Sequence, residues 1–267
     1  MGVTIRDLAA WKAAGRRFVM LTAYDYPTAR LLAEAEIPVL LVGDSLADNV
    51  LGYANTLPVT MTEMLHHARA VARGAPDQLL VGDLPFGTYQ RSCGDAIDNS
   101  VQYLQAGMHA VKLEGGGWVV ETVSRLTQRG IPVMGHLGLT PQSINAFGGP
   151  KVQARSAGDR ERLIADAHAL QDAGAFAIVL EWIPRDVATQ VTGELVIPTI
   201  GIGAGPDCDA QVLVIHDLLG ITGHLRGAAP KFVKPYADLG DRIVDAARAY
   251  AEDVREGRFP DDAHSFH

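Results

Sequence analysis

Two cysteines in 267 residues, Cys93 and Cys208, are too few for a disulfide framework and fit a reducing cytosol. No Lys/Arg cluster stands out, and 23 basic residues set against 31 acidic ones leave a net charge of −8. That balance excludes nucleic acid and anionic membrane surfaces as natural partners. No apolar run approaches the roughly 20 residues of a membrane span. The first residues, MGVTIRDLAAWKAAG, lack the apolar core of a signal peptide, and Arg6 stands where N-myristoylation needs Ser or Thr. A cytoplasmic protein is therefore expected. Pro/Ser-rich linkers are missing as well, so residues 1–267 read as a single domain, with about 257–267 a flexible tail.

What the chain does have is apolar sequence, 48% of it, in a regular rhythm. Strand-like runs fall at 18–24, 39–44, 79–84, 110–114, 132–138, 177–182, 198–204 and 212–218. Amphipathic helices are predicted between most of them, around 27–36, 61–73, 94–106, 118–129, 159–173 and 184–193, and a final helix at 237–256. Thr60 and Glu63 form a capping box before 61–73, and Gly107, Gly130 and Gly174 stand where helix ends favour a left-handed residue. Eight strands in a βα rhythm predict an α/β fold, a closed (β/α)8 TIM-type barrel with an extra C-terminal helix. Two connections are long, 45–60 and 139–158; such loops serve as lids or binding loops, or else as oligomer contacts.

Three of the runs stop abruptly on acid: VGD at Asp44, VGD at Asp83 and KLE at Glu114. Buried parallel strands tolerate charge only where they emerge, and barrel active sites lie at the C-terminal strand ends. Any single strand-end Asp could be an N-cap for the helix that follows. The set is harder to explain that way. Strand alternation gives Lys112 and Glu114 a shared face of their strand, likewise Met134 and His136, and likewise Ala177, Val179 and Glu181, so a cation, several carboxylates and a histidine can converge above the barrel. Several carboxylates together repel unless a cation neutralises them. Hard oxygen ligands without Cys/His spacing favour Mg²⁺, which takes one or two carboxylates directly and keeps its remaining positions for water or substrate. Asp44 and Asp83 are thus expected nearest the ion, with Glu114 close or bridged by water. A 2-oxo acid suits the open positions, a metal on its ketone stabilises an enolate, and Glu181 suits the base.

Other signals stay open. His136 either contacts ligand or is a satisfied structural histidine. GIGAG at 201–205 either cradles a phosphate or packs closely against neighbouring backbone. His66 and His67 lie about 100° apart on a helix and cannot ligate one metal together. Cys93 and Cys208 lack any surrounding motif for nucleophilic work.

The segments LTAYDYPTA, VGDSL, LGYANTLPVT, DLPFGTYQ, VKLEGG, PVMGHLGLTPQS, IPTIGIGAG and PKFVKPY, in this order from about residue 4 to 250, resemble the ketopantoate hydroxymethyltransferase family. The resemblance implies a (β/α)8 barrel that transfers a one-carbon unit from 5,10-methylenetetrahydrofolate to 3-methyl-2-oxobutanoate in pantothenate biosynthesis. It implies a Mg²⁺ site at Asp44, Asp83 and Glu114, oxo-acid contacts from Asp44, Ser45, Asp83 and Lys112, Glu181 as catalytic base, and a homodecamer. The chain departs from the family pattern at Ala154 and Ala210, where Gly is usual, and in the more polar Ala47-Asp48-Asn49. One rival is a Mg²⁺ lyase of the phosphoenolpyruvate mutase/isocitrate lyase type. Those enzymes carry a Lys-Cys-Gly-His-like loop, whereas Cys93-Gly94 continues here into Asp95. A second rival is a non-catalytic oxo-acid-binding scaffold, against which the intact Lys112, Glu114 and Glu181 argue.

Overall fold

The computed structural model describes residues 2–227 and 229–266. By their internal contacts these residues form two compact units that divide between Val214 and Ile215. The first unit is the barrel. Its strands are β1 (Phe18–Thr22), β2 (Val39–Val42), β3 (Leu79–Asp83), β4 (Ala110–Lys112), β5 (Val133–Gly138), β6 (Ala177–Glu181), β7 (Thr199–Ile202) and β8 (Ala210–Leu213). All neighbours pair in parallel, in chain order, and β8 closes on β1.

The helices of this unit are α1 (Ile5–Ala13), α2 (Tyr26–Glu34), α3 (Leu46–Asn49), α4 (Met61–Gly74), α5 (Cys93–Gln105), α6 (Val120–Thr127), α7 (Ile144–Phe147), α8 (Ala157–Asp172) and α9 (Arg185–Glu194). The Thr60 capping box forms as predicted: the Glu63 amide donates to Thr60 Oγ1, and the Thr60 amide donates to Glu63 Oε2 at 2.7 Å. Helix α1 was not foreseen. Its Leu8 is fully buried in the barrel core, beside Phe18, Met20, Leu79, Ala177, Ile200 and Val212.

The last strand differs from its predicted span of 212–218. β8 begins at Ala210, and residues 215–218 form a helical turn. The apolar run VLVI misplaced it, because that run crosses the strand end, while the true first residues, Ala210 and Gln211, carry little apolar weight. No helix joins β7 to β8. Residues 203–209 turn back sharply, with Gly203 and Gly205 in the left-handed region and Gly201 close against Cys208. Tight return and close packing account for the GIGAG glycines.

Inside the barrel, alternation carries the core upward into polar residues: Val81 to Asp83, Ala110 to Lys112, Met134 to His136 and Val179 to Glu181. The second unit, described by itself, contains α10 (Ile215–Leu218), α11 (Ile221–Arg226), α12 (Leu239–Arg255) and a 3₁₀ turn at Asp262–His264. Gly240 lets α12 approach α11, since a Cβ there would sit 2.6 Å from the His224 side chain.

Candidate active site

Register and alternation bring polar side chains of neighbouring strands together at the C-terminal ends. Asp83 pairs with Lys112 across β3 and β4, and Gly138 pairs with Glu181 across β5 and β6. Asp83, Lys112, Glu114 and His136 are all buried, although burial of charge is costly unless it is compensated. Lys112 Nζ supplies part of the compensation, lying 2.9 Å from Asp83 Oδ1 and 3.7 Å from Glu114 Oε1. His136 lies between two carboxylates, its Nδ1 3.3 Å from Glu114 Oε1 and its Nε2 3.2 Å from Glu181 Oε2. Lys112 Nζ also approaches His136 Nδ1 at 3.2 Å. His136 thus joins Glu114, Lys112 and Glu181, although its buried Nε2 makes no well-aligned hydrogen bond.

Asp44 arrives by another route. The inward positions of β2 are Val39 and Leu41, and the parity continues to Gly43, so Asp44 sits in the turn beyond the strand. Its amide donates to Asp83 Oδ2 at 3.2 Å, which ties the two acidic groups together. Ser45 follows, with its Oγ 2.8 Å from the buried Tyr24 hydroxyl.

Three residues that strand-end reasoning missed hold this cluster. Gln142, in a 3₁₀ turn (Pro141–Ser143) of the loop after β5, donates from Nε2 to Asp44 Oδ2 at 3.0 Å and to the Leu84 carbonyl at 2.9 Å. Its backbone amide donates to Glu114 Oε2 at 3.0 Å, and its Oε1 accepts from the Tyr89 hydroxyl at 2.7 Å. Tyr89 also accepts from the Glu114 amide at 3.1 Å. Tyr24 is the third. Its carbonyl is bonded to His67 Nδ1, while His66 is exposed, so the two neighbouring histidines do part company. Tyr24 ends the predicted strand 18–24 on the parity of Phe18 and Met20, whereas the only signal for Gln142 and Tyr89 was their presence in the segments that carry the resemblance, since no periodicity reaches into loops.

Electrostatics follow from burial. Burial pushes the Asp44 carboxyl well above its usual value, and the charges of Asp83 and Glu114 push the same way. Asp83 is also raised by burial, against the pull of Lys112. In Glu114 burial is overcome by the hydrogen bond and charge of His136 and by Lys112, leaving its carboxyl below the ordinary value. Burial and Lys112 oppose a charge on His136, yet its contacts with Glu114 and Glu181 raise the imidazole to about 9. Lys112 stays cationic because Asp83, Glu114 and Asp44 outweigh its burial.

Asp83 Oδ1 and Glu114 Oε1 are buried without a well-aligned hydrogen bond, the ion-pair distances notwithstanding. Two orphaned carboxylate oxygens beside Asp44 are a donor set of hard oxygens, which fits a divalent cation such as Mg²⁺. Among the described residues no group of three or more His, Cys, Asp or Glu side chains is arranged to hold a metal ion. A cation that retains water and takes substrate oxygens needs no such group.

A sequence model of ketopantoate hydroxymethyltransferase matches residues 2–262. The chain belongs to the ketopantoate hydroxymethyltransferase family. Relatives agree: the 3-methyl-2-oxobutanoate hydroxymethyltransferase of Carboxydothermus hydrogenoformans is 53% identical over 265 residues, covering 99% of this chain and 95% of that one. The enzyme of the same name from Frankia casuarinae is 56% identical, covering 98% and 88%. Among solved structures, phosphonopyruvate hydrolase in complex with oxalate and Mg²⁺ matches with a TM-score of 0.62 at 16% identity, over 98% of this chain and 91% of that one. A 2,3-dimethylmalate lyase of the phosphoenolpyruvate mutase/isocitrate lyase superfamily matches with a TM-score of 0.62 at 19% identity, over 99% and 92%. Likeness to these lyases at such identity is a likeness of fold. In this ketopantoate hydroxymethyltransferase family member Cys93 opens α5, with Sγ 3.5 Å from Thr122 Oγ1. Among the described residues no helix is long and apolar enough to cross a membrane.

Proposed function

We propose that this chain transfers a hydroxymethyl group from 5,10-methylenetetrahydrofolate to 3-methyl-2-oxobutanoate. With one water to complete the balance, the products are 2-dehydropantoate (ketopantoate) and tetrahydrofolate, and the reaction serves pantothenate biosynthesis. The observation that carries this reading is the meeting of Asp44, Asp83, Glu114, Lys112 and Glu181 at the strand ends of a barrel from that family.

Asp44 and Asp83, with Glu114 directly or through water, would hold Mg²⁺. When bound, the cation supplies charge that polarises the ketone of the oxo acid and lowers the free energy of its enolate. Lys112 and Ser45 bind oxygens of the oxo acid and balance its carboxylate. Glu181, less buried than the other acids, removes the proton from the branched carbon. His136 positions Glu181: its imidazole, raised to about 9, is a cation near neutral pH, with Nδ1 3.3 Å from Glu114 Oε1 and Nε2 3.2 Å from Glu181 Oε2. The carbon that has lost its proton bonds to the methylene carbon of the folate as one folate nitrogen takes that proton and lets go; water then replaces the second nitrogen on the same carbon, leaving the hydroxyl there and its other proton on tetrahydrofolate. The loop after β5 limits water around the reacting carbon.

Incubation with both substrates, with Mg²⁺ and with EDTA, followed by product mass, tests the proposal. Ketopantoate is expected only with the cation; its absence under both conditions would favour the oxo-acid-binding scaffold.

A further inference from the structure

Beside the buried carboxylates a second, open cavity of about 310 Å³ lies between the loop after β4, the loop after β5 and the outer face of α8. Its lining shares backbone with the catalytic groups. Gly115 directly follows Glu114, Gly138 pairs with Glu181, and Thr140 and Ser143 flank Gln142. Two other cavities have no such relation. One, lined by Gln78, His109 and Pro132, sits at strand beginnings, and the other belongs to the C-terminal unit.

The chemistry of this cleft is mixed. Trp118 is 58% exposed, stacks on Tyr89 with ring centroids 6.0 Å apart, and together with Phe147 gives the cleft aromatic surface. Asp166, from α8, lends a half-buried carboxylate. Its Oδ1 accepts from the Gly117 amide at 2.9 Å, and both oxygens keep lone pairs for further donors. Gly116 makes room for it, since a Cβ there would stand 2.0 Å from Asp166 Oδ2. Burial raises this carboxyl above its usual value, against the pull of the Gly117 amide and Arg162. Exposed Arg162 lines the cleft together with Asp159, and exposed Lys151 and Arg155 lie within two residues of the lining Gln153 and Ala154 in sequence.

The buried carboxylate pocket suits a small oxo acid. A reduced folate needs something else: an aromatic-lined slot for a flat bicyclic ring, an acceptor for the adjacent ring N–H and amino group of a pterin, and cations for its glutamate carboxylates. We propose that this cleft is the folate subsite, with the pterin edge bonded to Asp166, its ring against Trp118 and Phe147, and the glutamate end toward Arg162, Lys151 and Arg155. This rests on the function proposed above, which supplies the folate.

Two full-length variants test it. Asp166→Asn puts an amide N–H₂ where the pterin presents its own donors, and Ala146→Trp fills the cleft from α7 without removing any group. Tetrahydrofolate affinity by calorimetry and the KM for 5,10-methylenetetrahydrofolate are measured beside a folate-free reaction, Mg²⁺-dependent exchange of deuterium from D₂O into 3-methyl-2-oxobutanoate. Both variants are expected to weaken the folate terms by at least about tenfold, as expected for unmatched or excluded polar contacts, while exchange persists. Unchanged tetrahydrofolate affinity in both variants overturns the subsite. So does a loss of exchange that parallels the loss of folate affinity in both, because the change would then lie in the barrel. A wild-type chain that exchanges no deuterium counts against the function proposed above, and the tetrahydrofolate titration then decides the cleft alone.

Discussion

Replacing Glu181 by Gln keeps its size and its approach to His136 but removes the capacity to take a proton. Glu181→Gln is expected to bind Mg²⁺ and 3-methyl-2-oxobutanoate as the wild type does, and to lose at least about a hundredfold in substrate C–H exchange, the scale of general-base catalysis. Exchange at the wild-type rate would assign the base elsewhere. Ala154 offers a test of backbone strain. It is buried with φ of +52°, in the left-handed region where an L side chain is crowded. Gly carries no such crowding, and Ala154→Gly is expected to stabilise the fold by up to about 1 kcal/mol. Denaturant unfolding measures it, and a fall in stability would mean that the buried methyl contributes more than the strain costs.

At the scale of elements, strand alternation delivered Lys112, Glu114, His136 and Glu181 to one place because period two is a property of the strand itself. Asp44 obeys no such rule. It lies one residue beyond the inward parity of β2, and only its amide bond to Asp83 and its contact with Gln142 show why it joins the others. The loop after β5 was legible as long and functional, but Gln142 was not, since a 3₁₀ turn has no pattern that aims a side chain. Nor was the start of β8 visible, because Ala210 and Gln211 pair through backbone alone. Gln142 makes the loop a brace as well as a cover. Gln142→Ala removes the side-chain donor from Asp44 and the acceptor from Tyr89, and leaves the backbone bond to Glu114. Its Mg²⁺ affinity by calorimetry is expected to fall about 10- to 100-fold, the usual range for outer-sphere partners. An unchanged affinity would reduce Gln142 to packing.

For the molecule as a whole, the buried acids connect pH, cation and stability. The Asp44 carboxyl titrates above its unfolded value, chiefly through burial, so its protonation favours the folded state. In the metal-free protein that contribution is fully present below the unfolded value and is lost as pH rises through the raised folded one. Mg²⁺ held as proposed would reverse the trend by binding the ionised acids and releasing protons. The Tm difference between Mg²⁺ and EDTA samples is therefore expected to widen from about pH 5 to about pH 8. A constant difference would mean that the cation does not meet these acids. One segment, finally, touches both ligand systems: Gln142 grips two of the acids, while Thr140, Ser143 and Phe147 face the open cleft. Thermodynamic linkage then makes the dependence mutual. Whatever factor the pterin imposes on the ion's dissociation constant, the ion imposes on the pterin's.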